Sequence, residues 1–251
     1  MKKIILIGSG NVATHLGLSL FNKGYNIKQV WSKHLTNAKL LASKLNSTAT
    51  NNLKNLEEAD LYIVSVKDNV LELTIKQLKV KNIVHTSGTI GLEIFNSKIK
   101  NYGVFYPLQT FNKKVNLDFT KTPICIESKN KSFEKELLNI GNKISEKVLL
   151  MSSDQRKQLH IAAVFACNFT NHMFSISYSI LAKSNIDFKL LLPIINQTVM
   201  KIKHTNPIET QTGPAKRKDK NIIESHINNI SENETREIYK LITESIMKEN
   251  E

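Results

Sequence analysis

The chain has 251 residues, 41% of them hydrophobic, which is enough for a full core in one large domain or two smaller ones. The formal net charge of +13 suggests nucleic-acid binding, but only Arg156, Arg217 and Arg236 among the 35 basic residues are arginine. Because arginine makes the bidentate contacts to guanine and phosphate, and the lysines are scattered, we expect no nucleic-acid partner.

The two cysteines, Cys125 and Cys167, lie far apart and without metal-ligand spacing. This favours reduced thiols and predicts neither a disulfide nor a metal site. The sequence shows no apolar stretch of the length that a signal peptide or a membrane span needs. We therefore expect a cytoplasmic protein without a membrane partner.

The N-terminal part alternates between strand and helix patterns. It opens with an apolar run, a glycine turn and a helical pattern that Gly24 ends, in "KKIILIGSGNVATHLGLSLFNKGY". Further strand-length runs are "IKQVW", "DLYIVSV", "NIVHTS", "YGVFYP" and "TPICIES", with amphipathic stretches between several of them. This alternation predicts an α/β fold, namely a Rossmann doubly wound, mostly parallel sheet over residues 1–151.

From Ser152 onward we find no strand-like alternation, which predicts an all-α domain over residues 152–251. Its first part, "DQRKQLHIAAVFACNFTNHMFSISYSILAKS", is typical of one long helix with Ser153 or Asp154 as the N-cap. Pro193 is expected to interrupt the next helix near its middle.

The glycine turn between the first strand and the first helix has the pattern G-x-G-x-x-A. In such a turn the first glycine allows a tight bend and the second lets backbone N–H groups approach a pyrophosphate. The helix N-terminus then offers N–H donors and a positive dipole end to the phosphates. The predicted dinucleotide-binding residues are Gly8, Ser9, Gly10, Asn11 and Val12, with Ala13 close to the sheet.

The end of the second strand selects between NAD and NADP. A site for NAD usually has an acidic residue there, whereas this chain has Ser32, Lys33 and His34. A hydroxyl beside a cation suits a 2′-phosphate, so we predict NADP as the cofactor. The alternative is a solvated surface loop in a lysine-rich protein.

Ligands of doubly wound sheets bind beyond the carboxyl ends of the strands. The strand over "DLYIVSV" ends in Ser65, Val66 and Lys67, which we expect to contact the cofactor. The strands over "NIVHTS" and "YGVFYP" end in "HTSG" and "YPLQTF", where polar groups are more frequent than a strand end needs. Candidate contacts to nicotinamide or substrate are Ser87, Tyr106 and Gln109, although the same residue types also form ordinary turns.

The stretch "HIAAVFACNFTNH" places polar groups on an apolar helix. At about 100° per residue, His160 and Asn171 share one stripe with Asn168 at its margin. Since the ordinary pKa of histidine is about 6.5, we predict His160 as the general acid or base. Asn171 and Asn168 would orient the substrate, and the alternative is a core histidine with structural asparagines. In "QTGPAKRKD", Arg217 is a candidate clamp for a substrate carboxylate or the cofactor phosphate, or it lies in a solvated loop.

Five ordered segments carry a resemblance to a known family: "IGSGNVATHL", "HTSGTIG", "YPLQTF", "HIAAVFACNFTNH" and "QTGPAKRKD". They resemble the Rossmann-like proteins with domain of unknown function 2520, which are described as NADP oxidoreductases. That family is similar to pyrroline-5-carboxylate reductase, prephenate dehydrogenase and the 6-phosphogluconate dehydrogenase superfamily. The resemblance implies an N-terminal NADP domain and a C-terminal helical domain that forms a homodimer and closes over a small-molecule substrate.

Two differences from related proteins are visible. Thr89 stands where the family would have serine in "HTSGS", and no lysine lies between His160 and His172. Lysine-based chemistry of hydroxyacid dehydrogenases is therefore not expected. The hypothesis is an NADPH-dependent reductase of a small carbonyl or imine; the alternative is a sensor or scaffold that binds NADP without turnover.

Overall fold

The computed structural model describes residues 2–96 and 98–249 of the chain. Its eight strands form one sheet, with the order β3-β2-β1-β4-β5-β6-β7-β8. The strands are β1 (Lys3–Ile7), β2 (Asn26–Trp31), β3 (Thr48–Thr50), β4 (Leu61–Val64), β5 (Asn82–His85), β6 (Asn101–Pro107), β7 (Ile124–Ser128) and β8 (Val148–Leu150).

The α-helices of the described residues form two groups: four lie between strands along the chain, and five come after β8. The first group is α1 (Asn11–Asn22), α2 (Leu35–Lys44), α3 (Asp68–Lys76) and α4 (Lys131–Ile144). The second group is α5 (Ser153–Ala163), α6 (Thr170–Lys183), α7 (Leu192–Lys201), α8 (Lys220–Asn229) and α9 (Asn233–Glu249).

The sheet confirms the predicted doubly wound architecture. All described neighbouring strands pair in parallel except β6 and β7, which are antiparallel. The part β3-β2-β1-β4-β5-β6 has the strand order of dinucleotide-binding folds, in which ligands bind at the point where the order reverses. Here that point lies between β1 and β4.

Both faces of the sheet are covered, which explains why the strands are nearly continuous apolar runs. Ile4 and Leu6 of β1 pack in a core cluster with residues of α1, α2 and α4. Ile5 and Ile7 point to the other face and pack in a cluster with residues of α3. The β1 sequence therefore serves two cores through its alternating side chains.

A smaller cluster joins helix α5 to the sheet. Val104 and Tyr106 of β6 and Cys125 of β7 form its buried part, and Leu159 of α5 packs against it. The exposed Cys167 and the buried Cys125 are both free thiols. The cluster positions α5 over β6 and β7.

Three local predictions need correction. The N-cap of α5 is Ser152, not Ser153 or Asp154, because Ser152 and Gln155 form a reciprocal capping box. Pro193 does not interrupt a helix: it lies in the first turn of α7, where a missing N–H has no cost.

The third correction concerns the helix periodicity. Residues Val164–Phe169, between α5 and α6, form a π-helix rather than an α-helix. Its i→i+5 hydrogen bonds put more residues in each turn. The prediction that His160 and Asn171 share one uniform stripe is therefore wrong beyond Val164. Such π segments are frequent at functional sites.

The chain divides into two compact units, Met1–Cys167 and Asn168–Glu251. We predicted the domain boundary after residue 151, whereas the first compact unit extends to Cys167 and includes α5. His160 therefore lies in the same unit as the glycine turn. No helix of the described residues is long and apolar enough to cross a membrane.

Candidate active site

The two glycines of the first turn have different surroundings. Gly8 has φ +130°, and a Cβ there would lie 2.1 Å from the Ser65 carbonyl oxygen. A Cβ on Gly10 would have no atom within 4 Å, and Gly10 is the N-cap of α1 without a side-chain capping bond. Gly8 thus brings the β1 and β4 ends together, and Gly10 leaves an open approach to the N–H groups of α1.

Ser9 and Ser32 connect this turn to the end of β2. The Ser9 hydroxyl donates a hydrogen bond of 2.9 Å to the hydroxyl oxygen of Ser32, and Ser32 is buried. Lys33 and His34 follow Ser32 and are exposed, with His34 immediately before α2. The structure therefore brings the predicted Ser32 hydroxyl and Lys33, with His34 after them, to the edge of the sheet at which β1 ends.

The ends of β4 and β5 are also linked. The Thr86 hydroxyl donates a hydrogen bond of 3.0 Å to that of Ser65. Val66 is half-buried against the α3 side of the core, and the exposed Lys67 is the N-cap residue of α3. One line of contacts thus runs from Gly8 through Ser65 to the turn that follows β5.

The loop after β6 is attached to α1. The Lys113 N–H donates a hydrogen bond of 3.2 Å to the Asn11 side-chain oxygen, and His15 Nε2 lies 3.0 Å from the Asn112 carbonyl oxygen. Gln109, in this loop, is exposed and accepts hydrogen bonds from its neighbour Thr110. Asn11 therefore orders the loop that carries Gln109.

Ser87 shapes the turn after β5. Its hydroxyl oxygen accepts hydrogen bonds from the N–H groups of Thr89 (3.2 Å) and Ile90 (3.0 Å). The Ser87 N–H donates to Nδ1 of the buried His85 at 3.1 Å, and burial lowers the pKa of His85 to about 4. His85 is thus a neutral support of this turn at physiological pH.

His160 lies beside Tyr106 and Gly88. His160 Nδ1 is 3.0 Å from the Tyr106 hydroxyl oxygen, and the rings meet edge to face. Burial raises the pKa of Tyr106 to about 12, so this hydroxyl keeps its proton. A Cβ on Gly88 would lie 2.7 Å from His160 Nδ1, so only glycine allows the turn this close to the ring.

Sequence reasoning missed a buried ion pair next to His160. The Arg156 side chain is fully buried and donates to the Glu127 carboxylate at 2.5 Å and to the Ile90 carbonyl oxygen at 2.6 Å. Burying such a charge without a partner would be costly. A signal was available, because arginine is rare in this lysine-rich chain and Arg156 precedes His160 by one helical turn.

The structure places the other three predicted site residues in the second compact unit. Asn168 lies in the π segment, Asn171 in α6 and Arg217 between α7 and α8, and all three are exposed. No group of residues suited to hold a metal ion occurs within the described ranges.

Comparison with known families agrees with this architecture. Residues 3–87 match the family described as NADP oxidoreductase coenzyme F420-dependent, and residues 122–246 match domain of unknown function 2520. A crystal structure from Bacteroides fragilis, named as a putative NADP oxidoreductase, is 38% identical, with 98% of each chain covered and a TM-score of 0.92. The chain belongs to this family of Rossmann-like NADP oxidoreductases.

More distant structures share the fold with this NADP oxidoreductase. An imine reductase from Myxococcus stipitatus in complex with NADP⁺ is 13% identical over 98% of this chain and 92% of its own, with a TM-score of 0.68. A pyrroline-5-carboxylate reductase from Coxiella burnetii is 14% identical over 98% and 96%, with a TM-score of 0.59. Curated protein sequences gave no match. The family agrees with the predicted NADP cofactor.

Proposed function

We propose that this NADP oxidoreductase is an NADPH-dependent reductase of a small carbonyl or imine, with His160 as the proton donor. The observation that carries the proposal is the hydrogen bond between His160 and Tyr106. It lies at the end of β6, in the same compact unit as the glycine turn. The imine and pyrroline-5-carboxylate reductases that share the fold support this class of substrate.

The glycine turn suits the pyrophosphate of NADP. The N-terminus of α1 has no side-chain cap and no acidic residue in its first turn, and the space beside Gly10 is open. Backbone N–H groups and the helix dipole attract phosphate at such a position. When bound, NADPH supplies the hydride, and the protein residues bind, orient and protonate the substrate.

Lys33 gives a test of the preference for NADPH. We expect Lys33→Ala to weaken NADPH binding by about tenfold, the loss of roughly 1.4 kcal/mol, because its cation would lie beside the 2′-phosphate. NADH binding should not change. Calorimetric titration of both nucleotides checks this, with the exposed Lys39→Ala on α2 as the matched control. Equal losses for both nucleotides would contradict the assigned role.

His160 can protonate the substrate through one ring nitrogen while Tyr106 holds the other. In the imidazolium form, Nδ1–H donates to the Tyr106 oxygen and Nε2–H is the proton that passes to the substrate nitrogen or oxygen. The substrate carbon receives the hydride, so C=N becomes an amine and C=O an alcohol. The neutral ring that remains keeps its Nδ1–H, which still donates to the Tyr106 oxygen.

The remaining candidate contacts stay predictions. Asn168 and Asn171, predicted to orient the substrate, and Arg217, predicted to bind a carboxylate or the cofactor phosphate, lie in the second unit. Their exposure leaves the three side chains accessible to ligands. Ser87 supports the site through its turn, and Gln109 is one of the exposed polar residues of the loop after β6.

The deciding experiment follows NADPH absorbance while the full chain is mixed with a panel of cyclic imines and small carbonyl compounds. Reduction of at least one member with NADPH, but slower with NADH, is expected. Tight NADPH binding without oxidation by any member would instead favour the alternative, a sensor or scaffold that binds NADP without turnover.

The second unit supports the proposal that the protein is a homodimer. Among described residues 168–249, the buried ones are Ala215, Ile223 and Thr243. Helices α6 and α7 have no buried residue. Large apolar side chains are instead exposed, including Tyr178, Ile180, Leu190, Ile194, Val199, Met200 and Ile202. Exposed apolar surface of this kind marks an interface, and a second copy of the chain would cover it.

Sedimentation of the purified protein should therefore show a dimer. Ile194→Asp, at a side chain 62% exposed on α7, should shift the protein toward monomers. Leu73→Asp, at a side chain 63% exposed on α3, is the matched control and should leave the dimer intact. A wild-type monomer, or equal effects of both substitutions, would contradict this proposal.

A further inference from the structure

Arg156 joins three separate parts of the first unit. Its guanidinium donates to Glu127 on β7 and to the Ile90 carbonyl oxygen after β5, and it also contacts the Ser153 hydroxyl at 3.3 Å. Ser153 in turn donates its N–H and its hydroxyl to Glu127 at 2.9 Å and 2.7 Å. The carboxylate of Glu127 thus holds the N-terminal turn of α5 to the sheet.

Helix α5 contacts the sheet at two positions, through Arg156 and through His160, and the separation of these residues on the helix matches the separation of their partners on the sheet. In the antiparallel register, Val104 lies opposite Glu127 and Tyr106 opposite Cys125. On β7, Glu127 lies two residues after Cys125 and on the same face of the sheet. The positions of Cys125 and Glu127 are therefore about 6.8 Å apart along the strand. Arg156 and His160 are four residues apart on α5, a rise of about 6 Å. One helical turn of α5 thus spans both contacts.

The same arginine also fixes the turn that approaches His160. Its bond to Ile90 reaches the turn in which Gly88 lies against the His160 ring. A fully buried guanidinium can hold both acceptors at once because its N–H groups form a rigid planar fork. A lysine ammonium would be a point donor in the same place.

We propose that Arg156 is a positioning residue that sets the His160 ring against Tyr106 and the Gly88 turn by anchoring α5 to Glu127 and Ile90. This inference rests on the proposed function of His160. Its geometric part can nevertheless be tested without any substrate.

The test is ¹⁵N NMR of the full-length protein labelled at histidine, with the His160 resonances assigned by their loss in His160→Gln. Tyr106→Phe should shift the Nδ1 resonance of His160 in the wild-type background. That shift should be lost in the Arg156→Lys background. Arg236→Lys is the matched control, since Arg236 donates to the Ile230 carbonyl oxygen in the second unit, and the shift should persist there.

A double variant keeps the proposal testable if Arg156→Lys does not fold. Arg156→Met with Glu127→Leu replaces the ion pair by apolar side chains, a change that folded proteins often tolerate, and it should lose the shift as well. A full-sized shift in either background would overturn the proposal. Absence of the shift in the wild-type background would also overturn it.

Activity separates this inference from the proposed function. If a substrate is found, Arg156→Lys should lower kcat and leave the KM for NADPH unchanged. If no compound is reduced, the reductase proposal fails while the NMR result still decides whether Arg156 positions His160.

Discussion

Replacing His160 with glutamine is expected to lower kcat for imine or carbonyl reduction by about 10²- to 10⁴-fold, the usual contribution of a general acid. Glutamine can still contact the Tyr106 hydroxyl, but it carries no exchangeable acidic proton. NADPH affinity should not change, because the contacts assigned to the cofactor lie at the ends of β1, β2 and β4. Steady-state kinetics and calorimetric titration of NADPH measure the two effects separately.

His160 is one of two histidines in the segment of residues 160–172. The matched control is His172→Gln, an exposed histidine of α6, which should keep wild-type kcat. Full activity of His160→Gln would assign proton donation to another group.

Gly8→Ala is expected to lower the free energy of unfolding by more than about 3 kcal/mol, because strain and a steric clash add at one site. Its φ of +130° is unfavourable for alanine, and the new Cβ would lie 2.1 Å from the Ser65 carbonyl oxygen. Backbone atoms of two strands would have to separate to remove that clash. Denaturant unfolding of the full chain is the measurement.

Gly10→Ala is the control for Gly8→Ala, because its φ of −76° is ordinary and its Cβ meets no protein atom. Stability should fall by no more than about 1 kcal/mol, as for a changed helix cap. NADPH binding should weaken at least about tenfold, since the methyl group would enter the space assigned to the pyrophosphate and displace a charged hydrogen-bond partner. Equal stability losses in both variants would contradict the different roles of these glycines.

Local patterns determined much of the first unit. The apolar runs predicted strands, and their alternation with helical patterns predicted a mostly parallel sheet. Gly24 ends α1 with φ +81°, as its position after a helical pattern implied. The glycine turn lies between β1 and α1 as the motif requires. These features depend on neighbouring residues, and so they can be derived from sequence order.

The predicted site was only partly determined by such patterns. Tyr106 and His160 were each selected from their own segment, but their 54-residue separation gave no reason to pair them. Gly88 and Glu127 were not selected at all, because their roles depend on what the folded chain brings to them. The π segment was missed because no periodicity in the sequence distinguishes the i→i+5 hydrogen bonds of a π-helix from the i→i+4 hydrogen bonds of an α-helix.

The sequence by itself determined six of the eight strands of the sheet, the dinucleotide turn and the residue types available for proton transfer. Only the tertiary structure decided that β7 runs antiparallel to β6, that Glu127 and Tyr106 share a face, and that Arg156 and His160 contact them one helical turn apart. The physical reason is that hydrophobic alternation specifies which face a side chain takes, whereas the register between distant segments depends on packing across the whole core.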